Sequence, residues 1–309
     1  MNQPVLSYLE RLGPPAARPQ TGQTSSSPVR RLAYWDWVTP SSDLSHAVVC
    51  VHGLSRQGRD FDTLARRLSP HVRVICVDAP GRGQSDWLED PMAYQMPVYV
   101  ADMMALLHRL AAQGVTTFDW VGTSMGGLIG MLVAAQSELP LRRLVLNDVG
   151  PAIEPDALLR IGEYLGKAPA FDRLEEGADY LWSISRSFGP HTPEQWKGLS
   201  EPMFRRQGAQ WVLHYDPAIA APFKVHTAHT AAQAAQEGQA LLWQVYETLR
   251  QSVLLLRGAE SDLLSEETAH RMSITGPRAT RVDIEGVGHA PTLVAEPQLA
   301  LVQAFLLSA

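Results

Sequence analysis

Phe118-Asp119-Trp120-Val121-Gly122-Thr123-Ser124-Met125-Gly126-Gly127-Leu128-Ile129-Gly130 is the stretch whose reading decides the fold. The apolar run ending at Val121 predicts a buried strand, and the apolar run from Leu128 to Ala135 predicts a helix, so Gly122 to Gly126 must turn sharply between them. That turn puts Ser124 at its apex. Glycines at 122, 126 and 127 leave out the Cβ atoms that would collide where backbone crowds around such a turn. The Ser124 hydroxyl then stands above a helix N-terminus, where free amides and the helix dipole favour negative charge.

Outward from this turn, strand and helix alternate. Strands are expected at Val29 to Val38, Ala47-Val48-Val49-Cys50-Val51, Val72 to Val77 and Leu144 to Val149, with helices at Asp60 to Ser69 and Pro97 to Ala112 between them. Strands that are apolar throughout belong to a parallel sheet covered on both faces. After Thr230 the alternation resumes with a helix to Arg250, the strand Val253 to Leu256, a helix from Ser265 to Met272, the strand Thr280 to Ile284 and a closing apolar helix. The fold class is α/β, with a mostly parallel central sheet and catalytic loops at the carboxyl ends of its strands.

The composition sets limits. The 309 residues carry 26 Lys and Arg against 32 Asp and Glu, a net charge of -6 without blocks of like charge. Such a surface argues against nucleic-acid binding. Cys50 and Cys76 both fall in predicted buried strands and are read as core residues of a reducing compartment. The start lacks the basic and apolar regions of a signal peptide, and there is no run of some eighteen apolar residues, so a cytoplasmic protein without membrane contact is expected. Residues 1–28, with Val5 to Leu12 read as a short helix followed by a Pro-, Ser- and Thr-rich run, form a flexible tail in this reading.

His52-Gly53 after one strand, Asp78-x-Pro80-Gly81-x-Gly83-x-Ser85 after the next, and Gly122-x-Ser124-x-Gly126 together resemble the α/β-hydrolase superfamily over nearly the whole chain. The Gly81-x-Gly83 loop lacks the third glycine and the acidic ribose contact of a dinucleotide site and is read as a structural corner. The resemblance implies the α/β-hydrolase fold with a helical cap over residues 151–230 inserted into a core of 29–150 and 231–309. Of the cap's many aromatic residues, most are expected to hold it together and a few to face an apolar pocket. His214, His226 and His229 are read as surface or hydrogen-bonded histidines, with no metal and no cofactor.

Ser124, Asp262 and His289 each lie in a loop just past a strand, in the order Ser, Asp, His that these hydrolases use. The resemblance implies a triad in which His289 takes the Ser124 proton and Asp262 orients the imidazole, with Asp148 as the alternative acid. The backbone amides of Leu54 and Met125 are the expected oxyanion donors, and His52 anchors their loop. Arg56 is expected either to pair with Asp60 or Asp62 or to touch the substrate. A serine nucleophile disfavours the aspartate-dependent dehalogenase and epoxide hydrolase chemistries. The expected function is a carboxylesterase acting on a small, fairly apolar ester. A lactonase, a hydrolase of carbon–carbon bonds in ring-cleavage products, an acyl transferase and a slow-turnover ligand sensor are the alternatives, and no motif speaks to oligomeric state.

Overall fold

The structure, a computed structural model, describes residues 3–13, 29–136, 139, 141–224 and 228–308. Its first half contains β1 (Val5–Leu12), β2 (Val29–Trp37), β3 (Asp43–Val51), α1 (Asp62–Leu68), β4 (Val72–Val77), α2 (Met96–Ala112), β5 (Thr117–Thr123), α3 (Met125–Ala134) and β6 (Leu141–Asn147). The segment that follows holds α4 (Pro155–Tyr164), β7 (Ala170–Phe171), α5 (Leu174–Ile184), α6 (Pro193–Ser200), β8 (Phe204–Gln207), β9 (Gln210–Leu213) and α7 (Ala221–Lys224). The chain then closes with α8 (Ala228–Thr248), β10 (Ser252–Gly258), α9 (Glu266–Ile274), β11 (Thr280–Ile284) and α10 (Glu296–Leu307).

Eight strands form one sheet in the order β1-β2-β4-β3-β5-β6-β10-β11. The pairings from β4 to β11 are parallel, whereas β1 with β2 and β2 with β4 are antiparallel. The carboxyl-terminal halves of the central strands β3, β4, β5, β6 and β10 are buried on both faces, as their apolar runs require. Along β3, Ala47, Val49 and Val51 pack with side chains of α2, α3 and α8, while Val48 and Cys50 pack against α1 and α10. Cys50 lies opposite Cys76 on β4, both are free thiols in the core, and burial pushes the Cys76 thiol up.

Val5 to Leu12 is a strand, contrary to the helix expected there. Leu6, Leu9 and Leu12 are spaced as on one face of a helix, but long-range pairing overrides that local pattern. All eight residues pair antiparallel with β2, from Val5 opposite Asp36 to Leu12 opposite Val29. This pairing covers an edge that β2 would otherwise leave open. Arg11 and Arg30 then fasten the two strands to Asp102 of α2 at 3.0 and 2.6 Å. The remainder of the expected tail, from residue 14 to residue 28, lies outside the described residues.

The segment between β6 and β10 adds a three-stranded antiparallel sheet, β7-β9-β8, to its helices. Phe171 packs at a tilt on Tyr180 and edge-to-face on Phe204, as Trp182 does on Trp196, so much of its aromatic content packs internally. Tyr164, Phe188 and Tyr215 instead line a cavity shared with Ser124. His226 and the His229 side chain lie outside the described residues.

Candidate active site

β5 ends at Thr123 and α3 begins at Met125, leaving Ser124 as the hinge with φ 52° and ψ −118°. A non-glycine residue rarely adopts positive φ, and it persists only where its surroundings fix it. Here the fixing comes from close backbone contact. A Cβ at Gly126 would come within 1.9 Å of the Val51 carbonyl oxygen, and one at Gly122 within 2.3 Å of that of Gly126. The Ser124 amide also donates to the Asn147 carbonyl at 3.0 Å, tying the turn to β6.

The Ser124 Oγ lies 3.0 Å from His289 Nε2, and His289 Nδ1 lies 2.7 Å from Asp148 Oδ2. An ionised carboxylate can only accept, so with Nδ1 donating to Asp148 the neutral ring leaves Nε2 to accept a hydrogen bond from the Ser124 hydroxyl. The acid beside His289 is therefore Asp148 and not Asp262. Asp148 is fully buried and directly follows β6, the strand beside β5. It also accepts from Ser261 Oγ at 2.6 Å and from the Gly258 amide at 2.8 Å. Asp262 points elsewhere, into a partly exposed ion pair with Arg160 of α4 at 2.6 Å. The end of β10 and the turn after it thus contribute an amide and a serine hydroxyl to hold Asp148, while the turn's own aspartate faces α4.

The loop after β3 is held just as closely. His52 is buried, with Nδ1 2.7 Å from the Gly53 carbonyl oxygen and Nε2 accepting from the Ala79 amide at 3.0 Å. The Arg56 amide donates to the same Gly53 oxygen at 3.1 Å. In a trans peptide the carbonyl and the following N–H point in opposite directions. Fixing the Gly53 oxygen therefore fixes the Leu54 N–H on the other side of that peptide. Gly53 itself packs on Ser124, since a Cβ added there would lie 3.6 Å from the serine Cβ. Arg82, fully buried between Tyr94 and Tyr99, donates from Nε to the Leu54 carbonyl at 2.9 Å and approaches Met125 Sδ at 3.8 Å. The sequence singles out neither Arg82 nor Ser187, whose Oγ donates to the His289 carbonyl at 2.7 Å and whose own carbonyl receives the Gly288 amide at 2.6 Å. Both are recognisable only once distant segments are brought together.

Burial drives the pKa of His52 down to about 3, helped by the nearby Arg82 and Arg56 and opposed by its bond to Gly53. Unfolded, this imidazole takes up a proton near pH 6.5; folded, it does so only near pH 3. Its contribution to stability is thus whole above about pH 6.5 and is lost as the pH falls toward about 3. In His52→Gln, the urea midpoint should decline less steeply than in wild type between about pH 7 and about pH 4.5. Equal slopes would assign the acid sensitivity to other groups. Nearby, Asp78 accepts from the Gly58 and Gln84 amides and from Trp35 Nε1, and burial raises its pKa to about 6. A Cβ at Gly83 would come within 2.4 Å of this carboxylate, consistent with a structural corner.

Ser124 and His289 open onto a cavity of about 80 Å³ walled mainly by apolar side chains, among them Ile161, Leu181, Phe188 and Met203. Arg160, Tyr164 and Ile184 also line a second, larger cavity of about 550 Å³. Arg56 pairs with Asp60 at 2.6 Å, as one of the two expectations for it had it, and it also lines the first cavity. Among the described residues no cluster of His, Cys, Asp or Glu is arranged to hold a metal, and no helix is long and apolar enough to cross a membrane.

The family model described as "Alpha/beta hydrolase family" matches residues 48–304. A 3-hydroxybutyrate-oligomer hydrolase from Cupriavidus necator is 46% identical over 289 residues, covering 92% of this chain and 96% of that protein. A pimeloyl-[acyl-carrier protein] methyl ester esterase from Xanthomonas campestris is 26% identical over 275 residues, covering 82% and 92%. Among solved structures, an alpha/beta hydrolase from Novosphingobium aromaticivorans superposes with a TM-score of 0.75 at 32% identity, over 97% of this chain and 98% of its own.

Proposed function

The chain belongs to the alpha/beta hydrolase family and is a hydrolase of ester bonds, and from that premise we propose that it cleaves short oligomers of 3-hydroxybutyrate with Ser124 as nucleophile, His289 as base and Asp148 as its partner. The observation that carries the chemistry is the unbroken chain of hydrogen bonds from Ser124 through His289 to Asp148. Ser124 Oγ attacks the ester carbonyl as its proton passes to His289 Nε2, and Asp148 stabilises the imidazolium. The amides of Leu54 and Met125 receive the oxyanion. Met125 is the first residue of α3, whose opening N–H groups have no acceptor within the helix. The imidazolium returns the proton to the departing alkoxide, leaving an acyl-enzyme. Water, deprotonated by the same histidine, then attacks that ester and frees the acid.

The choice of substrate is supported by the 46% identical relative and by the size of the site. A small cavity at the nucleophile suits one short acyl unit, and the larger cavity beyond Tyr164 has room for further units. The test is to incubate the purified protein with dimers, trimers and tetramers of 3-hydroxybutyrate and follow the products by chromatography. Cleavage with kcat of about 1 s⁻¹ or more is expected, within the ordinary range of enzymes. Brisk hydrolysis of p-nitrophenyl esters with the oligomers left intact would remove the oligomer reading and leave the esterase.

A further inference from the structure

Arg56 holds Asp60 with two of its nitrogens, Nε at 2.7 Å and Nη2 at 2.6 Å, and Nη2 also donates to the Leu199 carbonyl at 2.7 Å. Its third nitrogen, Nη1, is buried and has no hydrogen-bond partner among the described residues. A buried donor left unmade is costly, and each such case calls for a reason. Arg30 also carries buried unpartnered nitrogens, but it lies with the β1 and β2 pair against α2. Arg56 instead lines the cavity that contains Ser124 and His289, with its guanidinium 5.8 Å from the Phe188 ring. The residue is 9% exposed, and the cavity wall around it is otherwise largely apolar.

The ion pair limits what Nη1 can take. Asp60 already balances the guanidinium charge, so a substrate carboxylate would add an unbalanced negative charge beside a mainly apolar wall, which is unfavourable. A neutral carbonyl or hydroxyl oxygen satisfies the donor at no such cost. Resting on the ester-hydrolase reading, we infer that Arg56 is a specificity-determining residue whose Nη1 donates to an uncharged oxygen flanking the scissile ester. The substrate class is therefore an ester with a second neutral oxygen close to the bond cleaved, as in a hydroxy-acid ester or short oligoester. Simple alkyl esters lack that oxygen. Substrates that must be held by a carboxylate at this point, as a dienoate would be, are disfavoured.

Three substrates separate these cases: the methyl ester of the 3-hydroxybutyrate dimer, which has neutral oxygens on both sides of its internal ester; sec-butyl butanoate, which has the same ester without them; and the uncapped dimer, which ends in a carboxylate. In Arg56→Lys a positive charge still faces Asp60 but the third guanidinium nitrogen is gone. The ratio of kcat/KM for the internal ester of the capped dimer over that for sec-butyl butanoate should fall by about 10- to 100-fold. Taking the ratio cancels any general loss from altered packing. An unchanged ratio overturns the assignment, and so does a wild-type preference of more than about tenfold for the uncapped over the capped dimer. A binding measurement keeps this inference separate from the hydrolytic reading. In a Ser124→Ala background the capped dimer should raise the melting temperature more than sec-butyl butanoate does, and adding Arg56→Lys should abolish the difference. Equal shifts from both compounds overturn the role of Arg56 even where wild type cleaves them, whereas a selective shift without turnover in wild type would sink the hydrolytic reading alone.

Discussion

Ser124→Ala should lower kcat by about a millionfold on any ester the protein cleaves, the order seen when a nucleophile is removed from a unit that works together. The loss is this large because the hydroxyl does two things at once. In the proposed mechanism it forms the bond to the carbonyl carbon and its proton is the one that charges His289, so without it the Asp148 interaction that stabilises the imidazolium would no longer contribute to the transition state. What remains is whatever the Leu54 and Met125 amides and the cavity can do for attack by water, about 10³- to 10⁴-fold over the uncatalysed reaction. The fold should survive. Alanine at φ 52° is no better placed than serine, but the turn is fixed by Gly122, Gly126 and the bond to Asn147, none of which the substitution touches. Steady-state kinetics beside a thermal melt check both halves of the expectation. Substantial turnover in a folded variant would mean that Ser124 is not the nucleophile.

Much of this fold can be read locally because the responsible forces act locally. The turn at Ser124 is encoded by glycines a few residues apart, and strands buried on both faces declare themselves as unbroken apolar runs. The serine and histidine are equally legible, each in a loop after a strand. What is not legible depends on partners far along the chain. Val5 to Leu12 has a leucine spacing that a helix could use, and it becomes a strand because β2 has an edge to cover and Asp102 binds arginines from both strands. The clamp of Ser187 on the His289 loop joins residues about a hundred positions apart. Arg56 illustrates the same point on the scale of one side chain. Its pairing with Asp60 follows from a spacing of four residues, but the donation of a third guanidinium hydrogen to Leu199 and the orphaned Nη1 exist only once the segment between β6 and β10 has folded against it.

The acid proposed to partner His289 is where local and long-range information part most clearly, and it yields a second large effect: Asp148→Asn should lower kcat by about 10⁴-fold, while Asp262→Asn should change it by less than about tenfold. Both aspartates follow strands of the parallel sheet, so chain order admits either. Three hydrogen bonds decide between them. Asp148 accepts from His289, Ser261 and Gly258, and all three are donors when His289 is poised to receive the serine proton. Asparagine cannot meet this demand, because its amide nitrogen presents hydrogens where only an acceptor fits. Turning that nitrogen toward Gly258 sets donor against donor; turning it toward His289 favours the tautomer with the proton on Nε2, which cannot act as a base toward Ser124. Either way the negative charge that would stabilise the imidazolium is gone. Asp262 has no such part. Its ion pair with Arg160 is roughly a third to a half exposed, the kind of contact worth about 1 kcal/mol or less, and its loss bears on α4 and the wall between the two cavities. Measuring kcat and KM for both variants separates the roles, since a change confined to KM in Asp262→Asn fits a residue of the cavity wall. A large loss of kcat in Asp262→Asn with Asp148→Asn near wild type would return the acid to the turn after β10 and require that turn to swing away from Arg160 during catalysis.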